Sequence, residues 1–223
     1  MGKARRPNIR PFSTDKECIR FAQEFLGAHV KRFRKDILVC LTGTTRKGRL
    51  THAYFPALIT CIAFADFLTG LYVGKLEFNN HRQLFQYADK FMDRAQYDDL
   101  RLGVLYHFFR HKLAHLSHPY AVFDTRTKAK EFPGQPNRRI TWMVYSSVRR
   151  PAIELIHMPG ESLKKTDAPW PMPYDHRIKV SVRALASDIA GSVYGPSGYL
   201  SYLRTDPAGL RNFVKCMEEY FPR

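Results

Sequence analysis

The chain has few of the features that mark a metal centre, a disulfide scaffold or a nucleotide-binding loop. Its 223 residues hold four cysteines, Cys18, Cys40, Cys61 and Cys216. No two lie at metal-ligand spacing, which excludes a zinc ribbon. Such sparse, scattered thiols suit reduced cysteines in the cytoplasm. The glycine-bearing stretch GPSGYLSYLR at 195–204 lacks the spacing and lysine of a phosphate-cradling loop. The basic leader MGKARRPNIRPF is followed by no apolar segment of the secretory kind. No internal repeat appears. Acidic residues are also scarce: 20 Asp and Glu against 36 Lys and Arg give a net charge of +16.

That charge points to a polyanionic partner, nucleic acid or another phosphate-rich one, and the plainer reading is a basic surface that only raises solubility. The charge is spread along the chain, in KRFRK at 31–35, RKGR at 46–49 and NRR at 137–139. Lys31, Arg32 and Arg34 are candidate RNA-backbone contacts; the plainer reading is a solvated basic end of a helix. The apolar run at 53–74 is long enough to imitate a membrane span. Asp66 interrupts it, at a cost of about 2.5–3.5 kcal/mol near a bilayer centre, so a buried core helix is expected and no membrane contact.

Most of the chain has a helical period. Residues 1–12 read as a basic arm and 13–223 as one domain. TDKE at 14–17 is a capping box with Thr14 as N-cap, and the helix it opens has apolar residues at Ile19, Ala22, Phe25, Leu26, Val30 and Phe33, a helical period with a basic outer face. Residues 42–49 read as a polar loop. Further helices are expected from about Pro56 to Val73, at 81–93, at 97–118 and in the last forty residues. ITWMVYSS and AIELIHM are rich in β-branched and aromatic residues, which predicts a β-hairpin insertion around 140–158. Proline-rich 159–176 reads as a connection. The fold class is therefore mainly α, a helical bundle with a small β-hairpin insertion.

The segment RHKLAH, residues 110–115, carries the sharpest chemical signal. At about 100° per residue, Leu102, Leu105, Phe109, Leu113 and Leu116 form one stripe, while His107, His111, His115 and His118 form another. The metalloprotease motif places Glu between two histidines, but Lys112 stands there, so the general base is missing and a cation opposes a metal. His107 or His118 could still add a ligand, which keeps a histidine-rich metal-binding helix as one alternative. The other use is proton transfer. A histidine exchanges protons near neutral pH, and an arginine grips a phosphate through two hydrogen bonds. Together they suit attack of an RNA 2′-hydroxyl on its own phosphate, which needs no metal or other cofactor. On a regular helix Arg110 and His115 stand about 7.5 Å apart along the axis and about 140° apart in azimuth. A site shared between two antiparallel copies would bring them together.

FFRHKLAHLSHP resembles the R-x(4–6)-H signature of HEPN domains (higher eukaryotes and prokaryotes nucleotide-binding). Arg110 and His115 match its two defining positions, and His111 matches the polar residue that follows the arginine. The resemblance extends over the helices of about 14–118. It implies a HEPN-like helical bundle, a homodimer with a composite site, and a metal-independent endoribonuclease of a toxin, phage-defence or RNA-processing system. His115 would handle protons, Arg110 the scissile phosphate, and His111 would support them. Lys112 and His118 would contact RNA, and an antitoxin or regulatory protein could be a partner. The β insertion is a departure from the minimal family pattern. A catalytically inactive RNA- or protein-binding module is the second alternative.

Overall fold

The computed structural model describes residues 12–46, 49–51, 53–76, 82–111, 120–128, 130, 132, 135–149, 151–164 and 167–222. Its helices are α1 (Asp15–Leu41), α2 (Tyr54–Val73), α3 (Arg82–Phe91), α4 (Asp99–Leu105), α5 (Val182–Tyr194), α6 (Tyr199–Thr205) and α7 (Pro207–Tyr220). Its strands are β1 (Thr44–Arg46), β2 (Arg49–Thr51), β3 (Phe123–Asp124), β4 (Arg139–Tyr145), β5 (Ile153–Ser162) and β6 (Pro173–Ser181). The described part is mainly helical, with a small four-stranded sheet.

α1 begins where its cap predicts. Thr14 has extended backbone, and its hydroxyl accepts the Glu17 amide at 3.1 Å. The reciprocal half of the box is displaced by one residue. The Glu17 carboxylate accepts the amide of Ser13 at 2.9 Å, and also its hydroxyl. The buried stripe runs on through Ile37 to Leu41, well past the predicted Phe33.

α2 is the central helix. It passes the length and hydropathy test for a membrane span, yet 56% of its most apolar stretch is buried inside the fold. The sequence lacks a polar face here because α1, α3, α5 and α7 all pack on α2. Leu58, Leu68 and Leu71 are fully buried, each contributing about 1.5–3 kcal/mol relative to exposure.

The β region departs from the hairpin expected around 140–158. Both strands form, but they do not pair with each other. β6 lies between them, parallel to β4 and antiparallel to β5, and the sheet order is β3-β4-β6-β5. Tyr174, Ile178 and Val180 of β6 are buried. A strand with that face gains most from the central place, where both edges are hydrogen-bonded. The prolines that suggested a connection end at Pro173, the first residue of the strand, where proline is tolerated. The polar loop expected at 42–49 likewise holds strand: Thr44 pairs with Thr51 and Arg46 with Arg49.

Candidate functional site

Among the described residues of the helix expected over 97–118, Asp99–Leu105 is α-helical and Tyr106–His111 is a π-helix. A π turn holds one more residue than an α turn. Azimuths counted at 100° per residue therefore stop applying at Tyr106. The angle between Arg110 and His115 depends also on 112–115, which lie outside the described residues.

The cause lies in what surrounds the turn. Phe108 and Phe109 are adjacent and both fully buried. They face two walls, since Phe108 lies 5.6 Å from Phe123 of β3 and Phe109 meets Trp142 of β4 edge-on at 6.1 Å. α2 packs against the same turn. Widening the helix lets both rings find a wall. His107, expected on the histidine stripe, instead stacks on Phe123 with centroids 5.6 Å apart and planes 11° apart, and its edge meets Phe132. It belongs to the seam between helix and sheet.

Arg110 and His111 close the π turn. Their side chains, and the whole of Lys112, His115 and His118, lie outside the described residues. The leader at 1–11 lies outside them as well, whereas Phe12 packs on Phe21 at 5.2 Å. Lys31, Arg32 and Arg34 are exposed on α1. Among the described residues none of the three stands within ion-pair distance of a carboxylate. Arg34 and Arg183 of α5 border one shallow cavity of about 250 Å³, so two helices contribute cations to that edge.

Trp142 is half-buried and packed against the core. Its indole N–H donates to the Tyr120 carbonyl at 2.8 Å, and its ring meets Phe55 at 5.2 Å. Tyr174 is buried, and Trp170 is exposed.

Sequence reasoning missed a second group, His157 and His176, which face each other across β5 and β6. Their signal was present in the strand period. Ile153, Leu155 and His157 share one face of β5, and His176, Ile178 and Val180 share one face of β6. β5 thus closes this row on a histidine, and β6 carries one between the buried Tyr174 and Ile178, where an apolar residue would be ordinary.

No family model, curated protein or solved structure matches this chain.

Proposed function

We propose that the protein is a metal-independent endoribonuclease of HEPN type, acting through Arg110 and His115. The observation that carries this reading is the change from α- to π-helix in the turn that ends on Arg110 and His111. π turns break regular helical hydrogen bonding and occur frequently at functional sites. The net charge of +16 supports it, since counterion release drives binding to a phosphate backbone. In this reading Arg110 stabilises charge on the phosphorane, His115 moves the proton, and His111 supports them. Lys112, His118 and the α1 cations Lys31, Arg32 and Arg34 hold the strand. The products are a 2′,3′-cyclic phosphate and a 5′-hydroxyl. A homodimer, a cytoplasmic location, a toxin, defence or RNA-processing role and an inhibitory protein partner complete the proposal.

The test is labelled RNA incubated with the pure protein in EDTA, beside Arg110→Ala and His115→Ala. The expected result is cleavage by the wild type and loss of about 10²-fold or more in each variant. Cleavage that needs a metal, or that survives both substitutions, sinks the reading. RNA binding without cleavage in any buffer would assign the chain to the inactive binding class. Solution mass with and without RNA tests the dimer.

A further inference from the structure

Away from the π turn, α4 and the sheet enclose a cleft of about 500 Å³ that His157, His176 and Arg138 help to line. His157 and His176 are direct cross-strand neighbours, with ring centroids 5.0 Å apart and planes at 42°. Nδ1 of His176 lies 2.5 Å from Oδ1 of Asp175. That oxygen also accepts the Arg139 amide at 3.0 Å, which fixes the carboxylate. An imidazole that gives its Nδ1 hydrogen to a carboxylate leaves Nε2 for other work. Regular pairing of β5 with β6 is interrupted just after His157, where the strand bulges. Gly160, at φ 78°, supplies the left-handed backbone that this bulge requires. A bulge of this kind re-aims a strand, and His157 is exposed where it begins.

Two chemistries use an imidazole pair: holding a metal and moving protons. A resident metal ordinarily takes three or more protein ligands. Among the described residues no third histidine, cysteine or carboxylate forms such a group with the pair. Proton transfer needs only the two. Charge then narrows the substrate. Asp89 pairs with Arg94 and Asp98 with Arg101, which leaves Asp99 and Arg138 as the remaining charged residues of the lining. Arg138 has only the Gln135 side-chain oxygen, at 3.4 Å, and among the described residues no carboxylate pairs with it. A cleft whose three carboxylates and three guanidiniums balance, and in which Arg138 alone among those guanidiniums has no carboxylate partner among the described residues, suits a singly charged ester better than a polyanionic strand.

We propose that this cleft is a second acid–base site, in which His157 and His176 hydrolyse a singly charged cyclic phosphodiester of mononucleotide size held by Arg138. It does not depend on the Arg110 reaction, which would leave its cyclic phosphate on the end of a strand. His176, whose imidazolium Asp175 would stabilise, takes a proton from water as the water oxygen bonds to phosphorus. One ring P–O bond breaks. Protonated His157 gives its proton to the departing ester oxygen. A phosphomonoester and a free hydroxyl result, and both imidazoles return to their starting states by exchange with solvent.

The probe is cytidine 2′,3′-cyclic phosphate, incubated with the full chain in EDTA and followed by phosphorus NMR. The expected result is conversion to the monophosphate. His157→Gln and His176→Gln should each lower kcat by about 10²-fold or more, and Arg138→Ala should raise KM. Asp175 is a positioning residue: D175N should lower kcat at unchanged KM, and D175E should restore part of it. Failure of the wild type to turn the ester over refutes the proposal. So does full turnover by both histidine variants with unchanged circular dichroism. RNA cleavage that dies in Arg110→Ala while the cyclic ester stays intact removes this site and leaves the other standing.

Discussion

Gly103 is buried inside α4, three residues before the π turn. An alanine Cβ there would stand 2.6 Å from Cε1 and 3.1 Å from Cζ of Phe132. Carbon atoms at rest lie about 3.5–4.0 Å apart, so the ring would have to retreat by about 1 Å. It is hemmed in: Phe132 is 7% exposed, Phe123 meets it edge-on at 6.1 Å and His107 at 5.9 Å. Two effects oppose each other in Gly103→Ala. Alanine in a helix interior gains about 1 kcal/mol over glycine, while overpacking costs about 1–3 kcal/mol. A net loss of up to about 2 kcal/mol is expected, or about 2–4 °C in Tm per kcal/mol for a chain of this size. A second background separates the effects. With Phe132→Ala the obstructing ring is gone, and Gly103→Ala should then stabilise by about 1 kcal/mol. Urea unfolding of the wild type, the two single variants and the double variant closes the cycle. A stabilising Gly103→Ala in the wild-type background, or the same effect in both backgrounds, refutes the packing of Phe132 onto α4. Because His107 shares that ring, the same four proteins report how firmly the turn ending on Arg110 is held.

The Tyr87 hydroxyl is fully buried against Ser192 Oγ at 2.9 Å, and burial pushes the phenol well above its ordinary range. Tyr87→Phe should cost about 1 kcal/mol in thermal or urea unfolding, and an unchanged midpoint would mean that the bond contributes nothing. Burial pushes the Cys18 thiol up to about 11 and the Cys216 thiol up to about 12. Iodoacetamide at mildly alkaline pH should therefore leave both unlabelled in the folded protein and label both in denaturant, read by peptide mass spectrometry. Labelling of either in the native state would count against the helix packing. The Ser13 hydroxyl, which donates to Glu17, holds that carboxyl below its ordinary value of 4.5. A depressed folded pKa means stability that is present above the ordinary range and lost as pH falls through the lowered one. Glu17→Gln should remove that part of the acid-side decline, and parallel pH–stability curves for the two proteins would contradict it.

What could be read in the sequence and what could not divide along one physical line. The Thr14 cap, the buried face of α1 and the burial of α2 are properties of residues within a turn or two of one another, and all were legible. The place of β6 was not, because strand order depends on which distant face β6 covers, and its flanking prolines carried the stronger local signal. The π turn was hidden for the same reason. Nothing in YHFFRH requires the extra residue; the two walls that receive Phe108 and Phe109, Phe123 of β3 and Trp142 of β4, follow later in the chain. This reaches the candidate site directly. The inference that one chain could not bring Arg110 and His115 together assumed a regular helix between them, and 112–115 lie outside the described residues. The case for a site shared by two copies therefore rests on the resemblance to HEPN domains rather than on helical geometry. The histidine pair shows the converse. His157 and His176 are neighbours because β5 pairs with β6, the next strand in the chain. That pairing was hidden because the prolines of 159–176 read as a connection, and the period of the two strands carried its signal all along.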